Sequence, residues 1–332
     1  MARVRAILSA LALLEKRERR RFGSIATNNF FLATVLLLQQ AGVFLYLLGA
    51  LVVLFPMSAD PLRKVPAERL SQWPLTTADR RWLRVISPWL NPILLLLVVL
   101  AAWSLKHVES ASLLGVTAAL FCIGFFAPTV SGQPGFLRWI PAFPGRIGFF
   151  VQRGIRETMV TLDFWVAALI SASGAAYRIS MPELPGEARM MMTILVVLAL
   201  SSRAQCLLGL DPEAVMTRHK LMPVPGWQIL AAEDAAFVLI TVLLTLPLAP
   251  VAGLASALAA LAVGHRAAVM DRRPQTRWRF SGGANLGDGV VQVLALASAA
   301  SVTFRNGPLV LVPCVLACAG SAVWFGRLLD RR

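Results

Sequence analysis

Two charged residues of opposite sign stand inside apolar stretches of this sequence, Asp163 within 158–177 and Arg203 within 190–208. If those stretches are adjacent antiparallel helices, the two lie at similar depth and can pair, which offsets much of the roughly 2.5–3.5 kcal/mol that each costs at the centre of a bilayer. That pairing reads first as a structural clamp and second as a substrate or gating contact. Little else in the chain carries chemistry. His107, His219 and His265 are isolated in sequence and give no metal spacing. No Gly-x-x-x-x-Gly-Lys-Ser/Thr is present to cradle phosphates. Gly-x-Ser-x-Gly and His-Glu-x-x-His are absent as well. Cys122, Cys206, Cys314 and Cys318 lie in or beside apolar segments, which argues against a disulfide framework or a zinc site, and Cys314 with Cys318 reads as packing on one helix face. The run Ser281–Gly289 is rich in glycine but lacks lysine, and reads as a flexible loop with Asp288 near a helix start. Glu157, Glu233, Asp234 and Asp288 fall at segment ends, where helix N-termini favour acids through the macrodipole. Gln39, Gln40, Gln205 and Gln292 read as hydrogen-bond partners between helices. The sequence therefore predicts no catalytic residue, no bound cofactor and no metal.

The elements around these residues follow from composition. Of 332 residues, 57% are apolar and 15% charged, against about 25% charged in an ordinary soluble domain. The apolar residues gather at 29–55, 89–105, 111–131, 158–177, 190–208, 229–247, 250–268, 289–304 and 308–326. Most are close to the roughly 20 residues a helix needs to cross a membrane. The net charge of +15 resides in the connections, so it predicts topology rather than nucleic-acid binding. At the N-terminus an apolar stretch ends in Glu15–Arg21, a block of charge rather than a cleavage site, and reads as an amphipathic helix on the cytoplasmic face.

Placing the long basic connections in the cytoplasm leaves only Lys106, Arg178, Arg189 and Arg305 outside, a strong positive-inside bias. The same rule favours a re-entrant hairpin over 29–55, turning near Gln39-Gln40-Ala41-Gly42, and eight spans in four hairpins from Pro88 onward. Short outer turns such as Pro247-Leu248-Ala249-Pro250 and Arg305-Asn306-Gly307-Pro308 predict adjacent antiparallel helices. Ala295–Ser301 offers a small-residue surface for a neighbouring helix or subunit. The expected fold is all-α, a polytopic transmembrane helical bundle of about nine to ten membrane segments with a cytoplasmic C-terminus. It comprises a basic N-terminal segment 1–28 and two similar halves, 29–156 with a cytoplasmic elbow at 56–88 and 157–332 with an elbow at 209–228.

The elbows are the most distinctive stretches. The first runs Trp73-Pro74-Leu75-Thr76-Thr77-Ala78-Asp79-Arg80, then Arg81, Trp82, Leu83 and Arg84. Thr76 or Thr77 can cap a helix there, with Asp79 in its first turn. The second runs from Leu208-Gly209-Leu210-Asp211-Pro212-Glu213-Ala214 to Leu221-Met222-Pro223-Val224-Pro225-Gly226. These stretches resemble the membrane subunits of type 2 ABC exporters, in which a Pro-containing cytoplasmic segment precedes a span and a "Phe-Gly-Leu-Asp … Leu-Pro-Val-Pro" signature marks the second elbow. Where that family carries a Lys and an Asn near the start of the next span, this chain has Glu233 and Asp234.

The resemblance implies a permease in the bacterial inner membrane, as a homodimer or with a second permease subunit, driven by a separate ABC-class ATPase that binds the ATP. Trp73, Pro74, Leu75, Asp79, Arg80, Arg81, Asp211, Met222, Pro223, Val224 and Gly226 would couple it to that ATPase, through short stiff helices continuous with the spans that follow. The runner-up is a membrane-embedded enzyme acting on lipid or isoprenoid substrates, with Asp163, Arg203 and the basic loop 272–279 near the headgroups.

Overall fold

A computed structural model describes residues 2–18, 28–29, 62, 65, 72–91, 94–96, 98–99, 140–141, 143–180, 185–221, 224–275, 277, 279–283 and 285–331. The segment expected at 29–55 beyond Asn29, the segment at 111–131, the Gln39-Gln40 turn, most of 89–105, and Met222 and Pro223 lie outside them. Among the described residues the chain is helical throughout, with no strand. It divides into two compact units, Met1–Gly23 with Leu37–Leu137 and Ser24–Leu36 with Arg138–Arg332.

In the first unit, α1 (Ala2–Glu18) and α2 (Thr77–Ile86) pack together. The apolar stripe Val4, Ile7, Leu8 and Leu11 of α1 closes over Leu83 of α2, with Leu62, Val65, Leu75 and Leu90 completing the cluster. The part of α1 read as a surface for lipid is thus used internally. Burying Leu83, which is 1% exposed, is worth about 1.5–3 kcal/mol.

The second unit holds α3 (Gly145–Met159), α4 (Leu162–Ser180), α5 (Gly186–Ala204), α6 (Pro212–Leu221), α7 (Gly226–Thr245), α8 (Pro250–Met270), α9 (Leu286–Asn306) and α10 (Leu311–Asp330). Among the described residues, four helical stretches are long and apolar enough to cross a membrane: α7, α8, α9, and α10 with the 3-10 turn before it. A fifth candidate is the pair α3 and α4, bent by 77°. Within 132–156, expected as a basic connection, α3 is a helix with apolar and charged residues interleaved, so a search for apolar runs passes over it. The bend has a local cause. Thr161 donates its hydroxyl to the Thr158 carbonyl oxygen at 2.7 Å, and Leu162 N–H turns to the Arg279 carbonyl oxygen instead of continuing the helical ladder.

Among the described helices, α8 packs against α5, α7, α9 and α10. The small-residue surface of α9 receives it: Ser256 donates to the Leu296 carbonyl oxygen at 2.9 Å, beside buried Leu296 and Ala300. The Gly307-Pro308 turn joins α9 to α10, yet each packs chiefly on α8 rather than on the other. A short turn fixes sequence neighbours at one end only. The result is an uneven bundle. The most apolar 18-residue stretch of α8 is 61% buried, that of the last span 17%.

Candidate functional site

The first elbow is built on a reciprocal cap. Asp79 N–H donates to Thr76 Oγ1 at 3.2 Å, while Thr76 N–H and Oγ1–H donate to Asp79 Oδ2 at 3.3 and 2.8 Å. The Asp79 carboxylate also lies in the first turn, where the helix dipole favours it. Pro74, ahead of the cap, keeps Trp73 out of a helical conformation. Leu75 turns inward with Leu83. Arg80, Arg81, Trp82 and Val85 face outward, with Trp82 54% exposed. A shallow concavity of about 370 Å³ lies beside Thr77, Ala78, Arg81, Trp82 and Val85. Continuity with the following segment, expected of a lever, is interrupted: after α2 come a 3-10 turn, Ser87–Leu90, and an extended Asn91. Pro88 in that turn lacks the N–H an α-helix would need.

The second elbow is tied down at both ends. Gly209 has φ +83°, a left-handed conformation open to glycine at little cost, and a Cβ there would collide with the Glu157 carboxylate. Asp211 starts α6, accepting from Ala214 N–H at 3.1 Å through Oδ1 and from Val215 N–H at 3.0 Å through its carbonyl oxygen. At the far end Val224 is buried and Gly226 begins α7. Gly226 N–H donates to Asp330 Oδ1 at 2.7 Å. A Cβ on Gly226 would lie 2.5 Å from the Gly326 carbonyl oxygen, so α7 and α10 meet backbone to backbone.

Glu157, against which Gly209 rests, belongs to a buried ionic network spanning α3, α5 and α7. Arg203, 1% exposed at the end of α5, places Nη2 3.1 Å from Glu233 Oε2 and 3.9 Å from Glu157 Oε2. It also donates to Thr158 Oγ1 and to the Cys206 carbonyl oxygen. Arg153 closes the far side with its Nε 2.6 Å from Glu157 Oε1. Gly154 leaves room for the Glu233 carboxylate, since a Cβ there would lie 2.6 Å from its Oε2.

The expected pairing of Asp163 with Arg203 is therefore not what forms. Asp163 is fully buried but accepts from Asn28 Nδ2 at 3.1 Å and from Ser281 N–H at 2.7 Å. Apolar spacing sets depth, not rotation about the helix axis, and Glu233 and Glu157 reach the guanidinium first. The assignment of Glu157 and Glu233 to helix N-termini is corrected as well: Glu157 lies in the last turn of α3, and Glu233 is two turns into α7. Asp288 does occupy a first turn, accepting from Asn285 Nδ2 and bonded by Arg266 at 2.7 Å. Gln205 and Gln292 do join two elements, at 2.7 Å, and Gln292 also accepts from Asn29. The glycine-rich run is fastened at its start by the bond from Ser281 to Asp163.

No family model, curated protein or solved structure matches this chain. Its functional reading rests on its own geometry.

That geometry contains one cluster that spacing did not reveal. His265 of α8, which looked isolated, sits between Asp234 of α7 and Ser321 of α10. Its partners are 31 and 56 residues away in sequence, so no local pattern announces them. Cys206, Cys314 and Cys318 are free thiols, with Cys206 and Cys318 buried. Among the described residues no group of His, Cys, Asp and Glu has the arrangement to hold a metal ion.

Proposed function

We propose that this chain is the membrane-spanning subunit of an ATP-driven exporter of the type 2 ABC class, with ATP hydrolysed on a separate cytoplasmic ATPase. One observation carries the reading: within the Leu208–Gly226 signature, Gly209 rests against a buried ion network ahead of α6, and Gly226 is bonded to Asp330 where α7 begins. A force applied to α6 has no slack loop to absorb it at the Gly209 end, and α7 begins at the other. The first elbow supports the reading differently, by presenting Arg80, Arg81 and Trp82 on a short capped helix beside an open concavity.

In this reading the elbows and the C-terminus face the cytoplasm of a bacterium. The sparsely buried α9 and α10 face lipid or another membrane subunit, a second copy or a different permease. The alternative of an enzyme acting on lipids draws little support from Asp163, whose two carboxylate oxygens are both engaged by Asn28 and Ser281.

Co-purification in mild detergent tests the proposal. An ABC-class ATPase should accompany the full-length chain, and replacing Pro74-Leu75 by Gly-Gly should abolish that association. Recovery without an ATPase, or association indifferent to the substitution, would contradict it.

A further inference from the structure

The connection between α8 and α9 gathers cations that the elbows do not use. From Arg266 to Asp288 the sequence holds five arginines and no lysine, against the two acids Asp271 and Asp288. Arg272, left-handed at φ 41°, turns the chain off the end of α8. Arg273 then reaches across to the approach to α9, with Nη1 2.6 Å from the Gly283 carbonyl oxygen. In the last turns of α8, Arg266 bonds both oxygens of Asp288 through its own Nη1, at 2.7 and 2.8 Å.

Two guanidinium groups thus flank the start of α9, each spending one nitrogen there. Both side chains are exposed, and their other N–H groups stay available to a further partner. Arg277 is exposed as well, and its side chain bonds nothing among the described residues. The backbone that carries these arginines is held. Gln275 N–H donates to the Gly209 carbonyl oxygen at 3.0 Å, and the Arg279 carbonyl oxygen accepts from Leu162 N–H at 3.1 Å. A ligand bound here would not have to order a slack loop first.

Beside the cations the surface turns apolar. Met270 follows Arg266 by one turn of α8 and is exposed. On α9, Leu286, Val290 and Leu294 are exposed and spaced by four, which keeps them on one side of the helix. That side is not the one facing α8, which bonds instead at Gln292 and Leu296. An apolar stripe therefore starts at the arginines and runs along a helix long and apolar enough to cross a membrane.

The occupant must match both parts. Guanidinium groups pair with phosphate oxygens through two parallel N–H bonds, a geometry an ammonium cannot reproduce. Inorganic phosphate or an acidic peptide would answer the arginines and leave the α9 stripe untouched. A zwitterionic lipid would cover the stripe but bring its own cation to the arginines. An anionic phospholipid does both without that repulsion.

We propose that Arg266, Arg273 and Arg277, with the stripe Leu286, Val290 and Leu294, bind one anionic phospholipid, its phosphate on the arginines and an acyl chain along α9. The site requires α9 to lie in a bilayer but stands apart from the exporter reading, and survives or fails without it.

Photocrosslinking tests it. The full-length chain is placed in phosphatidylcholine nanodiscs containing a trace of either phosphatidylglycerol or phosphatidylcholine with a diazirine in the acyl chain, and adducts are mapped by mass spectrometry. Relative to adducts on α10, the phosphatidylglycerol probe should label Leu286–Leu294 several-fold more than the phosphatidylcholine probe does. Arg273→Gln with Arg277→Gln should bring the two probes level. Arg305→Gln, which removes an exposed arginine at the other end of α9, should leave the preference intact. If the double variant misfolds, Arg277→Gln alone decides, since that side chain holds no bond whose loss could disturb the fold; it should weaken the preference. Equal labelling by the two probes in the wild type, a preference unchanged without these arginines, or one lost with Arg305 would each overturn the proposal. So would a preference abolished by millimolar inorganic phosphate at constant ionic strength, the mark of a soluble ligand.

Discussion

The two elbows are held in place by different materials. The first is stiff in itself: a reciprocal Thr76–Asp79 cap starts α2, Leu83 pins it to α1, and the chain then breaks at Pro88 and Asn91. The second owes its firmness to distant residues, with Gly209 seated on Glu157 and Gly226 held by Asp330. A self-capped helix can be loosened without disturbing the bundle, whereas the second elbow cannot move without disturbing buried charge. The contrast predicts that damage to the second elbow spreads and damage to the first stays local.

The largest effect is expected at Arg203. Arg203→Met leaves Glu233 without its cation, beside a Glu157 that keeps only Arg153, and breaking a buried pair in this way costs about 3–5 kcal/mol. Thermal unfolding in nanodiscs should show the loss, and the double variant Arg203→Met with Glu233→Met should regain much of it. Gly209→Ala comes next. The left-handed conformation alone costs an alanine about 1–2 kcal/mol, and the added Cβ must also displace Glu157. Gly209→Asn sharpens the comparison, since asparagine tolerates the conformation but still meets the carboxylate. If asparagine restores wild-type stability, the contact with Glu157 is not a constraint.

Thr76→Ala should cost about 1 kcal/mol, the usual worth of an N-cap. Faster amide exchange should stay within Thr77–Ile86, and spreading into other helices would erase the contrast between the elbows. Smallest of all should be Arg266→Ala. The Arg266 side chain is 59% exposed, and a pair on so open a cation is worth about 0–1 kcal/mol. An unfolding midpoint well below wild type would show that α8 and α9 depend on this pair.

Much of the first elbow was legible because its stabilising residues are neighbours in sequence. Thr76 and Asp79 are three residues apart, the spacing of a capping box, and Pro74 marks the turn before them. Helix lengths were legible for α7 to α10 because a span needs a long apolar run. The α3 helix was not, because charged residues alternate with apolar ones along its sequence and it never forms such a run. The partner of Arg203 was missed for a different reason: hydropathy gives the depth of a residue along a helix but not the direction it faces, and three helices converge on that guanidinium. His265 shows the same limit, since its partners come from two other spans. The departure at Glu233 and Asp234 did hold a signal. Two acids in a row inside an apolar helix need hydrogen-bond donors nearby, and Arg203 and His265 are the ones that arrive.

The central claim is that motion imposed on α6 reaches the spans through the fastened second elbow. Spin labels at Glu213, exposed on α6, and at Leu243, 67% exposed near the far end of α7, would report it directly. In nanodiscs with the partner ATPase, the distance between them should shift when ATP is added, and Arg203→Met should abolish the shift. A distance indifferent to ATP in the wild-type complex would contradict the account.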